Sequence, residues 1–105
     1  MRIAICDDSA QDALALQSLL AGHEVSVYSD SDSLLADIEE KKMRHDLYLL
    51  DIFMGNSMNG IELARRLRKS WGEAVICFIS TSNDFYREAY DLYACLLYTS
   101  PSPRD

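Results

Sequence analysis

Three short apolar runs in this chain each end abruptly at polar side chains, and this repeated feature constrains the fold more than any other. The runs are residues 3–6, 47–50 and 75–79. Apolar side chains at successive positions are typical of a strand that is buried on both faces, as in a parallel sheet covered by helices. Ligands of such sheets bind beyond the carboxyl ends of the strands. The residues that follow the three runs are therefore candidate functional residues.

Acidic and hydroxyl side chains follow the runs. Asp7 and Asp8 follow the first run, Asp51 follows the second, and Ser80 and Thr81 follow the third. Taken singly, each has an ordinary structural explanation as a helix cap or a solvated strand end. Taken together they indicate a site, because all of them stand at strand ends of one alternating pattern. We therefore expect three carboxylates and two hydroxyls at one edge of the sheet.

The segments between the runs carry helix signals. Ser9 with Asp12, and Asn59 with Glu62, resemble the caps at helix N-termini. The alternating stretch 24–28 predicts another strand, at or near a sheet edge. Strand and helix thus alternate four times, which predicts an open, mostly parallel sheet with helices on both faces and right-handed connections.

Apolar residues at helical spacing predict the buried faces of the four helices. These residues are Ala13, Leu16, Leu19 and Leu20 in the first, Leu34, Leu35 and Ile38 in the second, Ile61, Ala64 and Leu67 in the third, and Phe85, Ala89 and Tyr93 in the fourth. The basic residues of the third helix are predicted to lie on its solvated side. They are Arg65, Arg66, Arg68 and Lys69.

Charge and composition disfavour several classes of protein. The chain of 105 residues has the length of one domain, and its net charge is −7. Direct binding of nucleic acid is disfavoured, because phosphate contacts need clustered Lys and Arg. The apolar runs are far shorter than a membrane span of about 20 residues, and the first run is too short for a secretory signal. The three cysteines lack metal-ligand spacing. We therefore expect a cytoplasmic protein without membrane contact.

The carboxylates at the strand ends predict a chemistry. Mutual repulsion destabilises a bare acidic cluster, and Mg²⁺ relieves it by binding one or two carboxylates while it bridges to phosphate oxygens. Asp51 would then attack a phosphoryl group as a nucleophile and form an acyl phosphate. A hydroxyl at Ser80 or Thr81 would bond to the new phosphoryl oxygens.

Several segments of the chain resemble the receiver domain of bacterial two-component response regulators. The resemblance covers about residues 2–94, and the matching segments are 3–8, 49–54, 59–68, 79–81 and 86–90. It implies an α/β fold with a flavodoxin-like doubly wound parallel sheet, in the strand order 2-1-3-4. It also implies a magnesium site in which Asp8 is a direct ligand and Asp7 binds largely through water. Asp51 and the backbone carbonyl of Phe53 would complete the protein ligands.

The same resemblance implies a signalling role. Asp51 would be the phosphoacceptor for a sensor histidine kinase, Ser80 would be the switch hydroxyl, and Thr81 is its alternative. Such a protein is not an enzyme beyond its own phosphorylation and dephosphorylation. Its output would be transcriptional, through a DNA-binding domain outside this chain. The matching segments are closest in character to receivers that carry a LytTR-type output domain.

The sequence departs from the family's pattern at three places. Residues 55–57 make the loop after Met54 one residue longer, the fifth strand and fifth helix are expected to be missing, and the lysine that ends the family's fifth strand is absent because no Lys follows Lys69. Residues 95–105 resemble the translation of a sequencing adapter. We therefore expect an incomplete receiver domain over 1–94 and a non-native tail over 95–105, of which 95–98 is apolar enough to pair with the open edge of the fourth strand.

Two other functions fit the same alternating pattern. The first is a receiver-like module that is never phosphorylated and serves only for protein contact, and magnesium binding would separate it from a phosphoacceptor. The second is a flavodoxin-like electron carrier that binds flavin. The pair Asp7 and Asp8 disfavours it, because two carboxylates after the first strand would repel the flavin phosphate.

Overall fold

Strands and helices alternate along the chain as the apolar runs predicted. The computed structural model describes residues 1–52, 59–80 and 85–98. Within these ranges the elements are β1 (Arg2–Cys6), α1 (Ala10–Leu19), β2 (Glu24–Tyr28), α2 (Ser31–Glu39), β3 (Leu47–Asp51), α3 (Gly60–Ser70), β4 (Ile76–Ser80), α4 (Tyr86–Asp91) and β5 (Cys95–Tyr98). None of the helices in the described ranges is long and apolar enough to cross a membrane.

All neighbouring strands are parallel, and their order across the sheet is β2-β1-β3-β4-β5. This confirms the predicted fold class and the order 2-1-3-4. Cys6 pairs with Leu50, and Asp51 pairs with Ile79. The carboxyl ends of β1, β3 and β4 therefore meet at one edge of the sheet.

A fifth strand is present, which corrects the expectation that it would be missing and confirms that residues 95–98 pair with the open edge of β4. Cys95–Tyr98 runs parallel to β4, with Cys77 opposite Cys95 and Ser80 opposite Tyr98. The open edge of β4 offers unpaired N–H and C=O groups, and an apolar segment that follows α4 satisfies them. Residues 99–105 lie outside the described residues, so the non-native origin of the tail stays a prediction.

Each of the first three helices begins at a side chain that accepts a hydrogen bond from the amide three residues later. These caps are Ser9, Asp30 and Asn59, with N–O distances of 3.3, 2.7 and 2.9 Å. Such bonds satisfy one of the amide hydrogens that a helix N-terminus leaves without an intrahelical partner. They fix the start of each helix just beyond a strand end, and so they place the loops around the candidate site.

Two clusters of buried apolar residues lie on opposite faces of the sheet. The larger cluster joins the sheet to α2, α3 and α4, and it includes the predicted residues Leu34, Leu35, Ile38, Ile61, Ala64, Leu67 and Ala89. The smaller cluster joins the sheet to α1 and consists of Ile3, Ile5, Ala13 and Leu49.

Three predicted positions of side chains are wrong. Leu19 is 81% exposed, whereas Leu16 and Leu20 pack against the smaller cluster, so Leu19 lies on the outer side of α1. Tyr93 is 90% exposed and has a φ of 53°, since α4 already ends at Asp91. Arg68 is partly buried, and its guanidinium donates to the carbonyls of Leu92, Gly72 and Ala74. Its neighbours Arg65, Arg66 and Lys69 are exposed as predicted.

Candidate metal centre

The three aspartates predicted to form a site lie together at the carboxyl edge of the sheet. Asp7 and Asp8 directly follow β1, and Asp51 ends the neighbouring strand β3. One carboxylate oxygen from each residue lies within 4.8 Å of those from the other two. The parallel register of β1 and β3 brings about this convergence, because both strands end at the same level.

The two aspartates after β1 have different surroundings. Asp7 is buried, its backbone N–H donates to the carbonyl of Tyr28 at 3.0 Å, and its Oδ1 accepts from the N–H of Ser9 at 2.9 Å. Asp8 is exposed. Asp7 is thus held in place by the chain around it, whereas Asp8 faces the solvent from which a cation would arrive.

The backbone beside Asp51 is held by two contacts with neighbouring elements. The N–H of Ile52 donates to the carbonyl of Ile79 at 3.3 Å, and the N–H of Gly60 donates to the carbonyl of Ile52 at 2.9 Å. A Cβ on Gly60 would overlap the carbonyl oxygen of Asp51 and lie 3.0 Å from Cα of Ile52. Only glycine allows α3 to begin this close to the end of β3.

This role of Gly60 was not predicted from the sequence. The available signal was a glycine at the first position of a helix, directly after the cap Asn59. Glycine is a poor helix former, so its presence there indicates a close approach of two backbones. Which backbone approaches is a matter of tertiary structure.

The electrostatics of the cluster favour neutralisation by a cation. Burial raises the pKa of Asp7, the amide of Ser9 opposes this shift, and the charges of Asp12 and Asp8 add to it. Burial together with the surrounding aspartates raises the pKa of the Cys6 thiol to about 12. Negative charge is therefore concentrated at the end of β1, and a positive ion there would stabilise the ionised carboxylates.

Of the other residues predicted for the site, the structure describes Ser80 but not Phe53 or Thr81. Ser80 is buried at the end of β4, one residue beyond Ile79, the register partner of Asp51. It therefore lies at the same edge as the aspartates, as predicted. Phe53 and Thr81 lie outside the described residues, so the carbonyl ligand and the alternative switch hydroxyl stay predictions.

The donor set fits a hard divalent cation. The group that the described residues form contains carboxylates alone, and one of its members is exposed while another is buried. Mg²⁺ prefers oxygen ligands and retains several waters, so it suits a site with few protein ligands that is open on one side. Softer metals would prefer imidazole or thiolate ligands.

The fold and the site together define a class of protein: a flavodoxin-like parallel α/β domain with an acidic site at the carboxyl ends of its strands. The response regulator receiver domain family matches residues 3–95, and the chain belongs to this family. Among curated proteins, no sequence matches the chain.

Solved structures with the same fold include several receiver domains. A CheY-like receiver domain protein from Methanospirillum hungatei JF-1 has a TM-score of 0.82 at 24% identity, covering 99% of this chain and 85% of that chain. A CheX-CheY-BeF3-Mg complex from Borrelia burgdorferi gives 0.83 at 18% identity, with 96% and 79% covered. The response regulator TrrA from Thermotoga maritima, in complex with Mg-BeF, gives 0.75 at 20% identity, with 97% and 90% covered.

These similarities concern the fold, because all three identities are below 25%. Across eight such solved chains, this chain spans between 63% and 90% of their own length.

Proposed function

We propose that this chain is a phosphoacceptor receiver domain of a two-component signal transduction system, and that a sensor histidine kinase supplies the phosphoryl group to Asp51. The observation that carries the proposal is the convergence of Asp7, Asp8 and Asp51 within 4.8 Å at the end of β3. Two solved structures with the same fold, TrrA and the CheX-CheY complex, hold magnesium with a beryllium fluoride, and this supports magnesium as the cofactor.

Each residue of the site has a proposed part in the transfer. An oxygen of Asp51 attacks phosphorus, the bond to the donor's leaving group breaks, and the phosphoryl group remains on Asp51 as an acyl phosphate. Magnesium, when bound, supplies positive charge that offsets the charge of the carboxylates and of the transferred group. Asp8 would hold the cation directly from the solvent side, and Asp7, itself held by the amide of Ser9, would hold it from the buried side, largely through water. The carbonyl of Phe53 completes the proposed ligands.

The hydroxyl at the end of β4 would let the domain respond to phosphorylation. The Ser80 hydroxyl, or that of Thr81 in its place, bonds to the phosphoryl oxygens and so couples the state of Asp51 to the segment that leads into α4. The domain is a phosphoacceptor in the cytoplasm and not an enzyme beyond its own phosphorylation and dephosphorylation. We propose a transcriptional output through a LytTR-type domain, which the genomic reading frame beyond Ala94 would test.

Magnesium binding tests the site directly. We expect Mg²⁺ to stabilise the domain against urea by about 2.7 kcal/mol at 100 times its dissociation constant. Asp8→Ala should remove most of this gain, because it removes the solvent-facing ligand. Asp91→Asn is the matched control, since Asp91 is an exposed carboxylate at the end of α4. Equal stabilisation of the wild type and of Asp8→Ala would contradict the proposed site and would favour an unphosphorylated interaction module.

A further inference from the structure

His45 is buried near the end of the sheet opposite the aspartates, in the loop that leads into β3. The residue is only 2% exposed. Within the described residues, neither Nδ1 nor Nε2 of its ring has a hydrogen-bond partner. A buried polar group without a partner is rare and calls for a physical explanation. The candidate site at Asp51 does not use this histidine.

Two tyrosine rings lie against the imidazole, both in an edge-to-face arrangement. The centroid of the Tyr28 ring lies 6.4 Å away and that of Tyr48 lies 5.5 Å away, both with their planes steeply inclined to it. Their hydroxyls already have partners: Tyr28 donates to Asp37 at 2.6 Å, and the hydroxyl of Tyr48 accepts from the backbone N–H of His45 at 3.0 Å. The pocket therefore accommodates the ring as an uncharged aromatic group.

Ionisable groups face this ring from every neighbouring element. They are Arg2 from β1, Glu24 and Tyr28 from β2, Asp37 from α2, Asp46 from the loop and Tyr48 from β3. Burial lowers the pKa of His45, Arg2 lowers it further, and the three carboxylates oppose these effects only in part. Asp37 is moreover engaged by Tyr28 and by Lys41 at 3.4 Å.

The loop around His45 is tied to the rest of the domain by backbone hydrogen bonds and by Arg44, whose guanidinium carbon lies 4.9 Å from the centroid of the Trp71 ring. The N–H of Met43 donates to the carbonyl of Asp37 at 3.0 Å. Asp46 and Arg2 exchange two bonds of 2.7 Å: the N–H of Asp46 donates to the carbonyl of Arg2, and the N–H of Arg2 donates to Oδ2 of Asp46. Together with the bond from His45 to Tyr48, these contacts hold the start of β3 against β1.

We propose that His45 is a proton-operated switch of the loop that leads into β3. Proton uptake makes the ring a cation, which a pocket of aromatic rings cannot solvate, so the ring moves into water. That movement breaks the bond to Tyr48 and loosens the Asp46–Arg2 pair. A fall in pH thereby loosens the start of β3, the strand that ends at Asp51.

The direction of the pH effect follows from linkage. The fold favours the neutral imidazole, so His45 stabilises the folded state above the pKa of the unfolded chain and loses this contribution as the pH falls below it. Between about pH 7.5 and about pH 5.5, one histidine whose ordinary pKa is about 6.5 can raise the unfolding constant by at most about tenfold.

A titration of the buried histidine provides the first test. The chain has two histidines, of which His23 is exposed and His45 is buried. By proton NMR, we expect the His45 imidazole to take up its proton at a lower pH in the folded chain than in the chain unfolded by urea, because burial disfavours the charged ring. This measurement needs no variant. Titration of His45 at the same pH in the folded and the unfolded chain would overturn the proposal.

Two variants provide the second test. His45→Phe keeps an aromatic ring in the pocket but cannot take up a proton, and His23→Gln is the control. Urea unfolding at about pH 7.5 and at about pH 5.5 measures the unfolding constant of each variant. The ratio of the constant in acid to that at the higher pH should be the same in the wild type and in His23→Gln, and smaller by up to about tenfold in His45→Phe. The backbone amides of residues 45 and 46 should lose protection against hydrogen exchange in acid in the wild type and in His23→Gln, but not in His45→Phe. Equal pH responses of His45→Phe and the wild type would refute the switch.

Discussion

The two faces of the sheet are covered very differently. On one face α2, α3 and α4 cover a cluster that has 16 buried apolar members in the described part of the chain. On the other face, within the described residues, the cluster that includes α1 has four buried members, and Leu47, Cys77 and Ile79 beside it are only partly buried. Because hydrophobic stabilisation grows with the apolar area removed from water, the first face contributes most of the stability.

This difference also bears on the site. Asp51 ends β3, and α3 of the well-covered face begins at Gly60, in contact with the backbone of Asp51. Asp7 and Asp8 connect β1 to α1 of the less covered face. Asp51 is therefore anchored to the better-covered face, whereas Asp7 and Asp8, two of the proposed metal ligands, lead into the helix of the less covered face.

Substitutions of two adjacent leucines in β3 should have the largest effect on the free energy of unfolding, and they compare the two faces of the sheet directly. Leu50 is fully buried in the larger cluster, and Leu49 belongs to the smaller one. We expect Leu50→Ala to lower the free energy of unfolding by about 4 kcal/mol and Leu49→Ala by about 2 kcal/mol, since the partly exposed neighbours of Leu49 leave a smaller closed cavity. Urea denaturation measures both. Equal losses would show that the two faces are equally well packed.

The contact between α3 and β3 gives the next largest effect. Gly60→Ala should lower the free energy of unfolding by about 3 kcal/mol, because the new methyl group meets backbone that cannot move aside cheaply. It should also weaken magnesium binding by displacing Asp51. Gly72→Ala is the control: the nearest atom to its Cβ is the carbonyl oxygen of Arg68 at 3.9 Å, so its stability should change by less than about 1 kcal/mol. If Gly60→Ala changed neither the free energy of unfolding nor magnesium binding, the close approach of α3 to the backbone of Asp51 would not be needed.

The smallest effect concerns Arg68, which joins α3 to the end of α4. Arg68→Lys should cost about 1.5 kcal/mol, because a lysine cannot reproduce the fork that donates to Leu92, Gly72 and Ala74. Arg65→Lys should cost less than about 0.5 kcal/mol, since its bond to Glu62 is exposed. Thermal unfolding resolves the difference. Equally small losses in both variants would show that Arg68 contributes no more stability than an exposed arginine on the solvated face of α3, as the sequence predicted.

The features that depend on local chemistry were predictable from the sequence. The end of β1 at Cys6 and the caps Ser9 and Asn59 follow from the residue types at those positions and their immediate neighbours. The convergence of the three aspartates was predictable for a related reason, since parallel strands necessarily end at the same edge.

The features that depend on distant partners were not predictable. Arg68 has the sequence signature of a solvated helix face, and one of the carbonyls that it contacts belongs to Leu92, at the end of α4 and far from Arg68 in sequence. Tyr93 fits the helical spacing of α4, but the chain turns at that residue with a φ of 53°. The burial of His45 likewise results from rings on β2 and β3 that lie far from one another in sequence.

The most direct test of the central claim is phosphoryl uptake from acetyl phosphate, followed by mass spectrometry with peptide mapping. A variant of the domain that carries a lysine at the end of the fifth strand, as the receiver pattern implies, should take up one phosphoryl group, on Asp51, only when magnesium is present. The 105-residue chain should react more slowly, because no Lys follows Lys69 to balance the phosphoryl charge. Asp51→Asn should abolish the uptake, whereas Asp91→Asn should leave it unchanged. Uptake that persists in Asp51→Asn, or that proceeds equally well without magnesium, would contradict the account.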